Sequence, residues 1–122
     1  MSLKYSIPLA SPDLTGNELK YVSEAIRNNQ LSFGTFIDQF ESEFAKLCKS
    51  QAAIVCANGT CALHLALHSL GLGPGDEVIV PSFTYVATAN AVRYCGAEPV
   101  FVDVDEKTWC LDPECIEKAI TS

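Results

Sequence analysis

The chain has 122 residues, of which 48% are hydrophobic and 19% charged, and its formal net charge at pH 7 is −7. This length fits one domain that buries about two thirds of its extended surface on folding, and the composition is typical of a globular protein. The negative charge and scattered basic residues argue against a nucleic acid or an anionic membrane as partner, since both attract clustered Lys and Arg. The opening MSLKYS lacks the apolar core of a signal peptide and no apolar run has the length of a membrane span, so we expect a cytoplasmic protein.

Two amphipathic helices are predicted in the first half of the chain, after an irregular lead over residues 7–12. Thr15 and Glu18 have the spacing of a capping box with Thr15 as N-cap, so we expect a helix from there to about Asn28. Apolar residues at intervals of three and four predict a second helix. Its apolar stripe, which we expect in a core or an interface, comprises Phe36, Phe40, Phe44 and Leu47.

The stretch AAIVCANGTCALHLALHSL, residues 52–70, has the pattern of a strand, a tight turn and a helix. We expect the strand over Ala52–Cys56 and the helix from Thr60. The first turn of a helix has unpaired backbone N–H groups at the positive end of the helix dipole, so this turn can hold a phosphate dianion. Gly59 lets such a ligand approach closely, and Thr60 adds a hydroxyl donor. The same residues suit an ordinary strand-to-helix connection, so the spacing alone leaves both interpretations open.

Strands and helices continue to alternate along the chain, which favours an α/β fold with a partly parallel sheet covered by helices. Gly71 and Gly96 are expected just after helix ends. Three strands would leave an open sheet edge, so we expect the chain to be the opening part of a longer protein or to pack against a second copy. The remaining predicted elements are strands at Glu77–Val80 and Pro99–Val104, a helix at Tyr85–Tyr94 capped by Ser82 or Thr84, and a last helix to Ile120 opened by Asp112 and Pro113.

A second turn at the same predicted sheet edge is aromatic. Phe83 and Tyr85 follow the strand Glu77–Val80, and the carboxyl ends of parallel strands share one edge of a sheet. These rings are therefore expected close to Gly59 and Thr60, where a flat heterocycle can stack on them. A phosphate site beside an aromatic platform indicates a planar phosphorylated cofactor.

Other reactive residues give weaker signals. His64 and His68 have metal-ligand spacing on one helix face, but Leu65 stands where a zinc protease has Glu, so a structural or interface role is favoured and no metal is predicted. Asp103 and Asp105 follow a strand, where α/β proteins bind ligands. Solvated turn formation is nevertheless the favoured role for these two carboxylates.

The six cysteines form no C-x-x-C motif, and several lie in apolar-periodic segments. This pattern favours buried reduced thiols over disulfides or zinc ligands. Cys61 differs in position, because it falls in the first turn of the predicted anion-binding helix. Nothing nearby in the sequence supplies it with a base, so no catalytic role is assigned to it.

Four sequence blocks, in the same order, resemble the sugar aminotransferases of the DegT/DnrJ/EryC1/StrS family, which have the type I fold of pyridoxal-phosphate enzymes. The blocks are IPLASPDLTGNE, LSFGTFIDQFESEFA, ANGTCALHLALHSLGLGPGDEVIVPSFTYVATANAV and GAEPVFVDVD. The resemblance runs from Ile7 to Ile120 and is strongest to the perosamine-synthase branch, which aminates a GDP-linked 4-keto-6-deoxy sugar. It implies that residues 1–122 are the N-terminal portion of the large, cofactor-binding domain.

The resemblance also implies a site and a reaction. The family's phosphate-binding turn falls on Gly59, Thr60 and Cys61, and the aromatic residue that stacks on the pyridine ring falls on Tyr85. Pyridoxal 5′-phosphate would carry an amino group, from glutamate as donor, to a keto group of a nucleotide-linked deoxy sugar used in polysaccharide synthesis. Members of the family are homodimers whose sites draw on both subunits.

Three parts of the family's active site lie further along its sequence than Ser122: a lysine that binds the cofactor covalently, an aspartate that pairs with the pyridine nitrogen, and a phosphate-binding serine. None of the lysines present matches that position, so the chain alone is expected to be inactive. Two alternatives stay open at this stage. Some relatives carry His in place of the lysine and dehydrate their sugars, and the piece by itself is also compatible with a non-catalytic, dimerising module.

Overall fold

A computed structural model describes residues 10–121 of the chain. The opening residues and the first part of the predicted irregular lead, residues 1–9, lie outside the described residues, as does residue 122. The chain divides into two compact units, residues 1–54 and residues 55–122. Each unit is described by itself.

The first unit contains two helices, α1 (Glu18–Arg27) and α2 (Thr35–Cys48), as the apolar periodicity predicts. The Tyr21 and Phe36 rings contact each other with centroids 5.5 Å apart. The predicted stripe on α2 lies on one helix face, where Phe40 and Phe44 stack at 5.5 Å, but both rings are about half exposed and Leu47 is more exposed still. Over residues 10–121 no helix combines the length and the apolar character needed to cross a membrane.

The capping box predicted for α1 is wrong. The N-cap is Asn17, and no side chain caps the helix. The backbone N–H and the hydroxyl of Thr15 both donate to Asp13 Oδ1, at 3.1 and 2.7 Å. The Thr15 hydroxyl is thus bonded to a carboxylate that precedes the helix, and it accepts from no N–H group in the first turn of α1.

The second unit is an α/β arrangement in which two parallel strands pair and helices precede, link and follow them. Val80 of the first strand stands opposite Phe101 of the second. The core joins both strands to the linking helix through Val80, Val92 and Ala97. The elements are α3 (Gly59–Ser69), β1 (Glu77–Pro81), α4 (Ala87–Tyr94), β2 (Glu98–Val102) and α5 (Pro113–Ala119).

The strand predicted at Ala52–Cys56 is not formed. A strand needs the hydrogen bonds of a neighbour, and over residues 10–121 the paired strands are β1 and β2 alone. The third predicted strand is also shorter than expected, since β2 ends at Val102 and Val104 makes an isolated antiparallel bridge to Leu111. The parallel pairing of β1 with β2 is confirmed.

Helix ends in this unit follow the predictions in part. Gly71 and Gly96 adopt left-handed φ angles of 81° and 83° just after α3 and α4, as expected for residues that end helices. Asp112 Oδ1 accepts from the Glu114 N–H at 2.9 Å, so the predicted cap of α5 is confirmed. The cap predicted for α4 is wrong, because this helix starts at Ala87 with no side-chain cap. Ser82 bonds Asp103 and Thr84 bonds Thr88 instead.

Candidate functional site

The start of α3 holds free backbone donors. The helix begins at Gly59, one residue before the predicted start, and its N-cap Asn58 is extended. The Asn58 Oδ1 accepts from the Cys61 N–H at 2.9 Å, and the Asn58 carbonyl accepts from the Ala62 N–H at 3.1 Å. Within residues 10–121, the N–H groups of Gly59 and Thr60 have no hydrogen-bond partner. Two adjacent unpaired donors at the positive end of a helix dipole are suited to an anion.

Space is available at this position. A Cβ built on Gly59 meets no heavy atom within 4 Å, so the packing of the chain itself does not require a glycine there. The backbone is open to a ligand on that side. The Thr60 hydroxyl adds a side-chain donor next to the two backbone N–H groups.

Packing of α3 against α4 brings the aromatic turn to the same place. A cavity of about 840 Å³ lies between the start of α3 and the start of α4. Tyr85 is 78% exposed, which leaves its ring available to a ligand. The residues that line the cavity are Asn58, Gly59, Thr60, Ala62, Leu63, Ala66, Tyr85, Ala87 and Thr88.

Three of the four residues predicted to bind the cofactor therefore line one cavity, namely Gly59, Thr60 and Tyr85. Cys61 is not among the lining residues, and its N–H is already bonded to Asn58. The sequence reasoning missed Asn58 as a residue of this site. Its signal was available, since Asn directly before a helical pattern is a favoured N-cap.

The other reactive residues lie apart from this cavity. His64 contacts the rings of His68 and Tyr94, with centroids 6.2 and 5.5 Å apart. No group of three or more His, Cys, Asp or Glu able to hold a metal occurs in the described part of the chain. These contacts agree with the structural or interface role favoured for the two histidines.

The two carboxylates after β2 serve the chain itself. Asp103 Oδ1 accepts from the Ser82 hydroxyl at 3.1 Å. Asp105 Oδ1 accepts from the Lys107 N–H and from the N–H and hydroxyl of Thr108. The bonds from Thr108 lower the pKa of Asp105, because they favour the charged carboxylate. The predicted turn-forming role of Asp105 is confirmed.

All six cysteines are free thiols, but the expectation that they are buried is wrong. Cys48, Cys61 and Cys110 are exposed, and the other three are half-buried. Desolvation raises the pKa of Cys115, and the neighbouring Asp112 carboxylate adds to this effect. Cys48, Cys61 and Cys115 lie on helices, and apolar periodicity does not show how much of each helix another element covers.

Parallel strands linked by a helix define the class as an α/β protein, in which the free donors at the start of α3 and the Tyr85 ring line one cavity. The family profile described as "DegT/DnrJ/EryC1/StrS aminotransferase family" matches residues 12–122. The chain belongs to this family.

Named relatives agree with this assignment. The chain is 54% identical over 116 residues to GDP-perosamine synthase of Caulobacter vibrioides, covering 94% of this chain and 31% of that protein. It is 46% identical over 100 residues to UDP-2-acetamido-2-deoxy-3-oxo-D-glucuronate aminotransferase of Pseudomonas aeruginosa, covering 82% of this chain and 28% of that protein. Among solved structures, NtdA from Bacillus subtilis, with bound cofactor PMP, has a TM-score of 0.78 and 38% identity, covering 84% of this chain and 24% of that one. The chain thus spans about a third or less of each relative.

Proposed function

We propose that residues 1–122 form the N-terminal portion of the cofactor-binding domain of a nucleotide-sugar aminotransferase. The whole protein would move an amino group, from glutamate as donor, to a keto group of a nucleotide-linked deoxy sugar for polysaccharide synthesis. The observation that carries the proposal is the cavity shared by Gly59, Thr60 and Tyr85. The names of the relatives, which are aminotransferases or synthases of nucleotide-linked sugars, support it further.

The residues present fit pyridoxal 5′-phosphate. The N–H groups of Gly59 and Thr60 and the Thr60 hydroxyl are donors suited to the phosphate, and Tyr85 offers a ring face to the pyridine. When bound, this cofactor supplies the electron sink that lets an amino group move between donor and acceptor. Cys61 is left out of this set, because Asn58 already accepts its N–H.

The contribution of this chain is binding and orientation. Each hydrogen bond to a charged group contributes about 1.5–3 kcal/mol, so three donors at one phosphate hold the cofactor firmly. The Asn58 cap fixes the first turn of α3 and so keeps the two free N–H groups side by side. The Tyr85 side chain would restrict the tilt of the cofactor's pyridine ring. Covalent attachment and the pyridine-nitrogen contact are expected from the later segments that the family resemblance implies.

We place the whole protein in the cytoplasm as a homodimer. Its partners are then a nucleotide-linked keto sugar and an amino donor, both small and soluble. The apolar stripe on α2 supports a dimer, because Phe40, Phe44 and Leu47 are all exposed in this chain.

A chimera tests the proposal. This chain replaces the aligned segment of the Caulobacter GDP-perosamine synthase, which supplies the rest of the domain, and mass spectrometry follows glutamate-dependent formation of GDP-perosamine. We expect product at a rate within about tenfold of the parent enzyme. A chimera that binds the cofactor and the nucleotide sugar yet forms no product would contradict the proposal.

Variants of the chimera test the site. Thr60→Val removes the hydroxyl and keeps the shape, so it should weaken cofactor affinity about tenfold, as expected for one charge-assisted bond. Thr60→Ser retains the donor and serves as the matched control. Tyr85→Ala should weaken cofactor binding by a similar factor. Affinity measured by cofactor absorbance would count against the site if Thr60→Val and Thr60→Ser behaved alike.

A further inference from the structure

The turn that carries Tyr85 has few backbone hydrogen bonds. This aromatic turn, residues 82–85, lies between the end of β1 and the start of α4. Its first N–H, that of Ser82, donates to the Val102 carbonyl at 2.8 Å and so continues the pairing of the two strands. In the described part of the chain, the N–H groups of residues 83–85 donate to no acceptor. The backbone of the turn is therefore held at its ends, and side chains supply the contacts in between.

Two side-chain contacts join the aromatic turn to the segment that follows β2. The Ser82 hydroxyl donates to Asp103 Oδ1 at 3.1 Å. The Phe83 ring packs against the Trp109 ring, with centroids 5.0 Å apart and planes at 59°, within the range in which aromatic rings attract each other. Because β2 pairs with β1, both contacts brace the turn against the end of the neighbouring strand.

Trp109 is fixed by its own loop, residues 105–110. Two backbone hydrogen bonds close this loop, from the Trp109 N–H to the Asp105 carbonyl and from the Asp105 N–H to the Cys110 carbonyl, both at 2.9 Å. Asp105 Oδ1 also accepts from the N–H and the hydroxyl of Thr108. Trp109 has a φ of 59°, in the left-handed region that bulky residues rarely adopt, and such a conformation persists only where the surroundings impose it. The loop therefore holds the indole ring in one place.

The contact between Phe83 and Trp109 lies outside the core. Phe83 is 64% exposed and Trp109 is 62% exposed, and neither belongs to the buried cluster around Val80 and Val92. Neither ring lines the cofactor cavity either. The contact is thus placed to hold the aromatic turn, and an effect of Trp109 on a ligand in the cavity has to pass through that turn.

We propose that Trp109 and Asp103 are positioning residues, which hold the aromatic turn and thereby fix the Tyr85 ring for the cofactor. The Tyr85 carbonyl accepts from the Thr88 N–H at 3.0 Å, so its backbone is joined to α4, while Phe83, two residues earlier, is held by Trp109. A side chain that is held beforehand loses less conformational entropy when a ligand stacks on it, which raises affinity. The inference rests on the proposed function and deepens it, because it states how this chain orients the cofactor.

Pyridoxamine 5′-phosphate is the probe, because it carries the phosphate and the pyridine ring but no aldehyde that reacts with lysines. The intact 122-residue chain is titrated with it. Equilibrium dialysis gives the affinity, and the circular dichroism induced in the absorption band of the probe reports the orientation of its ring. Trp109→Leu should weaken binding about three- to tenfold, as expected when one aromatic side chain loses its fixed position, and should reduce the induced signal at saturation. Trp109→Phe keeps an aromatic partner for Phe83 and should recover most of both readouts.

Tyr21→Leu is the matched control. It removes a contact of the same kind in the first unit, where the Tyr21 and Phe36 rings are tilted by 59° with centroids 5.5 Å apart. This variant should change neither the affinity nor the induced signal, and far-ultraviolet circular dichroism checks that each variant keeps its helices. Unchanged binding in Trp109→Leu, or equal losses in Trp109→Leu and Tyr21→Leu, would overturn the inference.

A double-mutant cycle with Tyr85→Ala tests whether Trp109 acts through Tyr85. If it does, Trp109→Leu should have no further effect on affinity once the Tyr85 ring is absent. Losses that add in the double variant would show that Trp109 acts by another route, and the positioning role would be rejected.

Asp103 is tested in the same way. Asp103→Ala should weaken binding of the probe in the parent chain and have no effect in the Tyr85→Ala background. Asp103→Asn keeps an acceptor for the Ser82 hydroxyl and should stay close to the parent chain. Equal losses in Asp103→Ala and Asp103→Asn would show an effect of charge and would reject Asp103 as a positioning residue.

This inference and the proposed function fail separately. If the chimera forms GDP-perosamine while the losses add in the cycle, the positioning role is wrong and the proposed function stands. If the losses are coupled but the chimera, with cofactor and sugar bound, transfers no amino group, the positioning role stands and the proposed function is wrong. A parent chain that binds no pyridoxamine 5′-phosphate would overturn the positioning role, while the chimera still decides the proposed function.

Discussion

At the scale of single residues, variants of Asn58 distinguish the stability of α3 from the binding of an anion at its start. Its side chain caps α3 through the Cys61 N–H, and the residue also lines the cofactor cavity. Asn58→Ala removes the cap and should lower the free energy of unfolding by about 1 kcal/mol. Asn58→Asp keeps a capping oxygen but places a negative charge beside the phosphate position.

We therefore expect the two variants to differ in which property changes more, the unfolding midpoint or the affinity for the cofactor. Asn58→Asp should leave the unfolding midpoint in urea close to that of the parent chain and weaken pyridoxal 5′-phosphate binding at least tenfold. Asn58→Ala should lower the midpoint with a smaller effect on affinity. If both variants weakened cofactor binding equally, the negative charge would have no specific effect, and the phosphate would have to bind away from Asn58.

At the scale of elements, the turn that follows β2 depends on an ionised carboxylate. Bonds from Thr108 lower the pKa of Asp105 below its ordinary value of 3.8. A group with a lowered pKa in the folded state stabilises that state fully above its unfolded pKa, and the stabilisation is lost as pH falls through the folded pKa. The loop should thus stay ordered down to pH 3.8 and loosen below it.

Trp109 fluorescence follows this transition directly, since the residue lies in the same turn. We expect the emission to shift with a midpoint below pH 3.8 in the parent chain. Asp105→Asn keeps a neutral acceptor for Thr108 and should show no such transition, while Asp38→Asn on α2 should behave like the parent chain. A transition of equal size in Asp105→Asn would mean that another carboxylate controls the loop.

Local patterns predicted the elements of this chain better than the partners of those elements. The period of the apolar residues located α2, and the Asp112-Pro113 pair located the start of α5. The strand at Ala52–Cys56 failed because strand formation depends on a neighbour, which no local pattern specifies. The capping role predicted for Thr15 failed for a similar reason, since the Asp13 carboxylate that binds its hydroxyl lies outside the capping box.

At the scale of the whole molecule, the order of strands and helices was enough to predict the α/β class, whereas the turns at Thr60 and Tyr85 share a cavity through the packing of α3 against α4. The full set of residues that line the cavity was harder to predict from the sequence. Thr88 lines it where α4 packs against α3, and Cys61 is not among the lining residues and has its N–H bonded to Asn58. Such details depend on how helices pack and on which acceptor binds a given donor, and local patterns in a single sequence predict neither.

The exposed apolar surface of the whole chain leads to a last prediction. Large side chains such as Leu47 on α2, 77% exposed, and Leu70 after α3, 76% exposed, lie in water in this chain, and soluble monomers rarely expose extended apolar patches. We expect sedimentation velocity to show reversible, concentration-dependent self-association. Fluorescence titrations remain feasible at concentrations below those at which the chain associates. Leu47→Glu should weaken the association at least tenfold, because Leu47 continues the Phe40 and Phe44 stripe. Leu70→Glu is equally exposed and carries the same charge change, so an equal effect of both variants would show unspecific hydrophobic adhesion and not an interface on α2.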